Sequence, residues 1–265
     1  MIIESLQNAE GYVRRALVVD RLLGNKGRLA LEIKCRNVKA QFDSYNQTYD
    51  ATVNAAIAFS GLKLDFFTRA KAQYLVRILT ERFGDPSRLD LLDVGCGIGN
   101  LHPFLAKVVR TITGVDVSSQ CIGTARERNP WVNYRLYEGN RLPFADASFD
   151  VAFTICVMHH VPPTDWPLFA VELRRVVKPG GIALVFEHNP YNFLTRYVVS
   201  ACEFDRDAVL LTGRTAKRVL TGAGFTDVVV HHILSVPAAN HALQQVDRLF
   251  SRLPFGAQYY ALGVA

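Results

Sequence analysis

Short apolar runs alternate with longer helical patterns along the chain from residue 89 onward. This alternation is typical of parallel strands joined by crossover helices. It predicts strands near residues 89–94, 111–117, 133–137, 150–155, 182–187, 227–232 and 258–264, with helices between them. A Pro179-Gly180-Gly181 stop is expected to end a helix that includes Leu173 to Val177, and Gly222 with Gly224 to end another. The pattern therefore predicts an α/β fold.

Before residue 89 the pattern changes to longer helical stretches, roughly 10–24 and 65–83. A polar, aromatic segment at residues 42–49 joins them. We therefore expect two parts: a helical N-terminal cap or lid at 1–84, and a sheet domain at 85–265, with a boundary near Asp85-Pro86.

Composition excludes several broad classes of protein. The chain has 265 residues, of which 49% are apolar and 20% charged, as in an ordinary globular protein. No stretch is apolar enough for a membrane span, and the first twenty residues lack the plan of a secretory signal. Five cysteines without a CxxC pair argue against a disulfide scaffold and a zinc ribbon. We expect a cytoplasmic protein.

The net charge of +6 is concentrated near the N-terminus. Residues 1–40 hold eight basic and four acidic side chains, and so contribute +4. The bases are interleaved with acids and no aromatic stacking pattern accompanies them, which favours a solvated helical face. An anion-binding role for this region stays as the alternative.

The strongest local signal is a glycine-rich turn directly after the first predicted strand of the sheet. The sequence runs Asp93-Val94-Gly95-Cys96-Gly97-Ile98-Gly99-Asn100. Glycines let the chain turn tightly and let a ligand approach the backbone, while a following helix terminus offers free N–H groups. The second strand ends at Asp116, at the distance where an acid reaches the ribose of an adenosine cofactor. A dinucleotide fingerprint fits less well, because position 100 is Asn rather than Gly or Ala.

This turn resembles that of the class I S-adenosylmethionine-dependent methyltransferases, in which an acid precedes Gly-x-Gly-x-Gly. Further segments match later landmarks of that family: Gly139-Asn140-Arg141-Leu142-Pro143-Phe144, Met158-His159-His160-Val161, Leu173 to Gly181, and Gly222-Ala223-Gly224-Phe225. The resemblance covers residues 89–264. It implies a Rossmann-like, seven-stranded, mostly parallel sheet whose last strand is antiparallel.

The resemblance also implies S-adenosylmethionine as the cofactor and a set of residues that contact it. These are Asp93, Gly95, Cys96, Gly97, Gly99, Asp116, Val117, Asn140, Arg141 and Ile155. Asn140 stands where the family usually has Asp, and an amide oxygen can still accept a hydrogen bond from the adenine amine. Tyr45 and Tyr49 resemble the family's aromatic lid, although they could equally pin the N-terminal helices to the core.

Methyl transfer needs the two reactants held in line, and a hydroxyl or ammonium acceptor must also lose a proton. Ligands of open α/β sheets bind beyond the carboxyl ends of the strands, which places His160, Glu187 and His188 near the methyl group. We take these three as the candidate catalytic residues; packing roles are the alternative. Cys156 is expected to be a small packed residue rather than a nucleophile. No spacing among the histidines matches a familiar ligand set, so no metal is predicted.

A small-molecule methyl acceptor is favoured, with oxygen or nitrogen as the methylated atom and carbon as a further option. The Asn/Asp-Pro-Pro-Tyr/Phe motif of adenine and amide methyltransferases is missing after the fourth strand, where the sequence reads Thr154-Ile155-Cys156-Val157. Nucleic acid is therefore not expected as a partner. Two alternatives remain: an RNA or protein methyltransferase that uses the basic N-terminal region, and a non-catalytic module that binds S-adenosylmethionine.

Overall fold

The computed structural model describes residues 43, 49–58, 61–139, 141–236 and 241–265. The predicted helix at 10–24 lies outside these residues. The strands are β1 Asp90–Val94, β2 Thr111–Asp116, β3 Asn133–Leu136, β4 Phe149–Ile155, β5 Val177–His188, β6 Thr226–Ile233 and β7 Gln258–Val264. The helices are α1 Tyr49–Ile57, α2 Leu64–Phe83, α3 Ser119–Arg128, α4 Trp166–Val176, α5 Phe193–Ala201, α6 Gly213–Gly222 and α7 His241–Leu249.

All seven strands pair in one sheet with the order β3-β2-β1-β4-β5-β7-β6. Six strands run parallel, and β7 lies antiparallel between β5 and β6. The predicted fold class is therefore confirmed. The direction of winding reverses between β1 and β4, and ligands of open α/β sheets bind in the crevice at such a point.

Helices cover both faces of the sheet because successive strand residues point to opposite sides. Leu91, Phe153 and Leu184 pack on one face with Leu75 and Leu79 of α2. On the other face, residues 92, 152 and 185 of the same strands pack with α4 and α6. The predicted helix at 65–83 is confirmed, and it shares its core with the sheet.

The predicted helix stop at Pro179-Gly180-Gly181 is wrong in one respect. Helix α4 ends at Val176, and the three residues lie inside β5. Val177 already pairs with Phe149 of β4, and the Gly180 N–H donates to the Ala265 carbonyl oxygen. Strand pairing therefore ends the helix before the proline and glycines can do so. No helix of the described residues is long and apolar enough to cross a membrane.

Candidate active site

The turn after β1 contains two glycines with positive φ whose surroundings differ. Gly95 has a φ of +78°, and a Cβ there would lie 2.4 Å from Val157 Cγ2. Gly97 has a φ of +51°, but an added Cβ would meet no protein atom within 4 Å. The backbone N–H of Gly95 donates to the Val115 carbonyl oxygen at 2.8 Å, which anchors the turn on β2. The backbone at Gly97 is thus left open to a ligand.

Asp116, the last residue of β2, closes the other side of this turn. Its Oδ2 accepts from the Gly97 N–H at 2.8 Å, and its Oδ1 accepts from the Ser118 N–H at 2.9 Å. Burial raises the pKa of Asp116, and the two backbone donors oppose that shift. Each carboxylate oxygen has a second lone pair, so the group can still accept hydrogen bonds from ribose hydroxyls.

A buried chain of side chains behind the turn holds Asp93 in place. The Asp93 Oδ2 lies 3.0 Å from His102 Nε2, and His102 Nδ1 lies 2.5 Å from the Tyr134 hydroxyl. His102 is fully buried. Neither His102 nor Tyr134 was predicted from the sequence, because only the fold brings residues from three segments together. Their role is to orient the carboxylate at the end of β1.

A cavity of about 1010 Å³ opens beside the turn, over the carboxyl ends of β1, β2, β4 and β5. Its wall includes most of the residues predicted to contact the cofactor: Asp93, Gly95, Cys96, Gly97, Asp116, Val117, Arg141 and Ile155. Gly99 is not among the lining residues. With a φ of +74°, it leaves room for the Tyr134 hydroxyl, which would be 2.5 Å from a Cβ. Its part in cofactor binding stays a prediction.

Some of the predicted contacts cannot be located. Tyr45 and Asn140 lie outside the described residues, as do residues 1–40 with their basic excess. Tyr49 is the first residue of α1, and the structure describes its backbone only. Within the segment 42–49, Asp43 accepts hydrogen bonds from the Ser118 Oγ at 2.5 Å and the Gln120 N–H at 3.2 Å. This contact ties Asp43 to the start of α3, next to Asp116.

Asn100 connects the glycine-rich turn to α1 on the opposite wall. Its Nδ2 donates to the Asp50 Oδ1 at 2.9 Å, and its Oδ1 accepts from Arg128 Nη1 at 2.8 Å. Val53 and Ile57 of α1 line the cavity. The turn and α1 are therefore joined by direct hydrogen bonds.

Two of the three predicted catalytic residues, His160 and His188, line the cavity. Glu187 does not. It is fully buried, and its Oε1 accepts from the N–H groups of Val157 and Met158 at 3.1 and 2.7 Å. Its Oε2 lies 2.6 Å from His159 Nδ1. The structure thus makes Glu187 a residue that positions its neighbours, and a direct part in the reaction stays untested.

His159 sits between two buried carboxylates, which sets its protonation. Burial opposes its charge, but Glu187 and Asp205 outweigh that effect and raise the pKa of His159 well above its usual range. For the neighbouring ring, burial and the charge of His159 lower the pKa of His160. The two adjacent histidines are therefore driven in opposite directions, an arrangement that sequence alone could not indicate.

Cys156 and Lys71 meet on the same wall. Cys156 follows β4 with a φ of +56°, and its Sγ lies 3.8 Å from Lys71 Nζ and 3.9 Å from Gln258 Nε2. Burial raises the pKa of a thiol, but Lys71 and His188 outweigh it and lower the pKa of Cys156 to about 7. Lys71, which no sequence pattern indicated, is a buried residue of α2 that lines the cavity.

Comparison with known proteins identifies the domain that carries this cavity. Residues 92–185 match the family model described as a methyltransferase domain. The chain contains a class I S-adenosylmethionine-dependent methyltransferase domain. The predicted family is thereby confirmed, and S-adenosylmethionine is the cofactor of this methyltransferase domain.

Curated relatives of the methyltransferase domain include enzymes named for quinone metabolism. The chain is 38% identical over 125 residues to the 2-methyl-6-phytyl-1,4-hydroquinone methyltransferase of Synechocystis, covering 43% of this chain and 39% of the relative. It is 33% identical over 127 residues to the ubiquinone biosynthesis O-methyltransferase of Agrobacterium fabrum, covering 44% and 50%. The aligned residues thus span no more than half of these relatives.

Solved structures share the fold at low sequence identity. One is phosphoethanolamine N-methyltransferase 2 of Haemonchus contortus, in complex with phosphomonomethylethanolamine and S-adenosylhomocysteine. The TM-score is 0.53 at 19% identity, and the match covers 72% of this chain and 52% of that one. The likeness establishes the architecture of the methyltransferase domain.

Proposed function

We propose that this protein transfers the methyl group of S-adenosylmethionine to a small, largely apolar molecule that carries an acidic oxygen. The observation that carries this proposal is Lys71. Its side chain is buried, it lines the cavity, and among the described residues no carboxylate forms an ion pair with it. Its polar contact is with the Cys156 thiol at 3.8 Å rather than with a carboxylate, so an anionic ligand would add to the compensation of its charge.

The remaining walls explain why the body of the acceptor should be apolar. On the side of α1 and α2, the cavity is lined by Val53, Ile57, Leu62, Phe66 and Phe67. Its volume of about 1010 Å³ is at the upper end of the usual range for ligand pockets, which leaves room for a second molecule beside the cofactor. An acceptor with apolar bulk would bury that surface on binding.

The names of the relatives support the same class of acceptor. One relative is named for a phytyl-hydroquinone and another for an O-methyl transfer in ubiquinone biosynthesis. Together with Lys71, the second name favours oxygen over nitrogen as the methylated atom. His160 and His188, on the cavity wall, are our candidates for the group that accepts the proton of the acceptor hydroxyl.

A rate assay with labelled S-adenosylmethionine tests the proposal. The probes are an alkyl catechol and an alkylamine of the same chain length. We expect turnover with the catechol and none with the amine. Lys71→Met should raise the KM for the catechol by about tenfold or more, since a charge-assisted contact is lost. The affinity of the Lys71→Met variant for S-adenosylhomocysteine should differ by less than about twofold from that of the unmodified protein.

Lys63→Met is the matched control, because Lys63 is an exposed lysine just before α2 that does not line the cavity. It should behave as the unmodified protein. Preference for the amine, or equal KM values for the Lys71→Met and Lys63→Met variants, would refute the proposal.

A further inference from the structure

Three potential metal ligands from separate parts of the chain converge on the cavity wall. His159 lies in the turn after β4, His188 ends β5, and Asp205 follows α5. One ligand atom from each lies within 4.8 Å of the other two. All three residues line the cavity. Because they are far apart in the sequence, no spacing could have indicated this cluster.

We propose that His159, His188 and Asp205 bind a divalent transition-metal cation of the Zn²⁺ type. Two imidazoles and one carboxylate form a ligand set that such ions use in proteins, and it leaves a coordination position open. Since all three residues line the cavity, the open position would face the bound molecules. This proposal replaces the expectation from sequence that no metal is bound.

The contacts of Asp205 with His159 and with the neighbouring His160 are long for charge-assisted hydrogen bonds. His159 Nε2 lies 3.5 Å from Asp205 Oδ1, and His160 Nε2 lies 3.3 Å from the same oxygen. Charge-assisted hydrogen bonds between such groups are normally about 2.7–2.9 Å long. Ligand atoms that share a tetrahedral metal at the usual bond lengths are about 3.3 Å apart. His159 and Asp205 are thus close to this spacing, while the three ligand atoms lie within 4.8 Å of one another and would draw together around an ion.

Glu187 supplies the outer support that metal-bound histidines typically have. Its Oε2 lies 2.6 Å from His159 Nδ1, while its Oε1 is fixed by the Val157 and Met158 N–H groups. This contact leaves Nε2 of the ring directed at Asp205. Carboxylate partners on the second ring nitrogen orient a histidine ligand and make it more basic.

The charge of the cluster is also compatible with a bound cation. Glu187 and Asp205 are both buried, and among the described residues their ion pairs are with histidines alone. A divalent ion would take over the charge compensation that the protonated His159 provides, and His159 would release a proton on binding the ion. If the proposed function holds, the open coordination position could hold the acceptor oxygen and favour its deprotonated form. His160 would then be the candidate base outside the ligand set.

Titration of the full-length, untagged, chelator-treated protein with Co²⁺ tests the site directly. Tetrahedral Co²⁺ gives strong visible absorption, and displacement by Zn²⁺ then gives the affinity for zinc. We expect one equivalent to bind. Asp205→Asn and His188→Gln should each weaken binding by about 100-fold or more, and Glu187→Gln by about 10- to 100-fold. His231→Ala is the matched control, because His231 lies on β6 away from the cavity, and it should leave the affinity unchanged.

Binding of S-adenosylhomocysteine, measured on the same samples, shows whether each variant is folded. Absence of stoichiometric Co²⁺ binding by the unmodified protein would overturn the proposal. So would folded Asp205→Asn and His188→Gln variants with unchanged Co²⁺ affinity. Failure of the catechol assay with intact Co²⁺ binding would instead count against the proposed function alone.

Discussion

Asp116 is the residue whose surroundings most directly predict a binding role. Its carboxylate is held by two backbone donors at the wall of the cavity. We expect Asp116→Ala to weaken binding of S-adenosylhomocysteine by about 10- to 100-fold, since hydrogen bonds to a charged group contribute about 1.5–3 kcal/mol. Isothermal titration calorimetry measures this affinity. Asp90→Ala, at the other end of the sheet, is the control, and equal affinities in both variants would contradict the assignment.

Gly97 allows a second test, because another glycine matches its backbone without lining the cavity. Gly97 and Gly180 both have positive φ, and a Cβ at either would meet no protein atom within 4 Å. Alanine at each should cost about 1–2 kcal/mol of unfolding free energy through backbone strain. Only Gly97→Ala should also lower cofactor affinity, by about tenfold or more, because its methyl group would occupy cavity space. Thermal shifts with and without S-adenosylhomocysteine separate the two effects. A similar ligand-induced shift in both variants would disprove the role of Gly97 in cofactor binding.

At this scale, sequence predicted the residues that share one short segment or one well-known spacing. The turn at 95–99 and the acid at 116 are of this kind, and all but Gly99 of these predicted contacts line the cavity. Lys71, His102 and Asp205 escaped prediction. Each acquires its role only from partners that the fold brings near, and a lone Lys, His or Asp in a helix or turn carries no local signal of such a partner.

Helix α2 combines two tasks, since one face supports the sheet and Lys71 faces the cavity. Leu75 is fully buried in the core shared with β1, β4 and β5. Leu75→Ala should therefore lower the free energy of unfolding by about 2–5 kcal/mol. Urea denaturation measures the loss, with the exposed Arg69→Ala as control at about 0.5 kcal/mol or less. A small loss for Leu75→Ala would show that the helix does not depend on the sheet, as a separable cap at 1–84 requires.

Elements were predicted well where hydrophobic periodicity was strong and less well where pairing overrode local signals. Each of the seven strands overlaps its predicted range. The clearest signals come from β1, β2 and β4, which are parallel strands buried on both faces and so leave distinct apolar runs. Strand β5 begins five residues earlier than expected. The proline and glycines there are typical of a helix end. Pairing of Val177 with β4 and the hydrogen bond of Gly180 to Ala265 nevertheless hold the backbone extended.

Buried tyrosines make the whole molecule sensitive to alkali. Burial raises the pKa of Tyr74, Tyr134 and Tyr259 above the usual range. Unfolded tyrosines ionise near pH 10, so above about that pH the unfolded state releases protons that the native state retains. The stability that these groups contribute is therefore fully present below about pH 10 and is lost as the pH rises further.

Urea denaturation at about pH 8 and about pH 10.5 measures this loss. Tyr74 donates a hydrogen bond to the buried Asp247. Tyr74→Phe should lower stability by about 1–3 kcal/mol at the lower pH, and should show a smaller further loss at the higher pH. The exposed Tyr191→Phe should match the unmodified protein at both. If Tyr74→Phe loses as much unfolding free energy on going to the higher pH as the unmodified protein does, Tyr74 does not contribute to the alkaline destabilisation.

The hydrogen bonds of Asn100 to Asp50 and Arg128 have a practical consequence. They join the glycine-rich turn, which would bind the cofactor, to α1, which lines the cavity on the side of the proposed acceptor. A ligand that orders the turn should therefore also order α1. Thermodynamic linkage then requires each ligand to raise the affinity of its companion by the same factor. Screens of compound libraries for the acceptor should accordingly be run on protein saturated with S-adenosylhomocysteine, because the cofactor-free protein would bind the true acceptor more weakly.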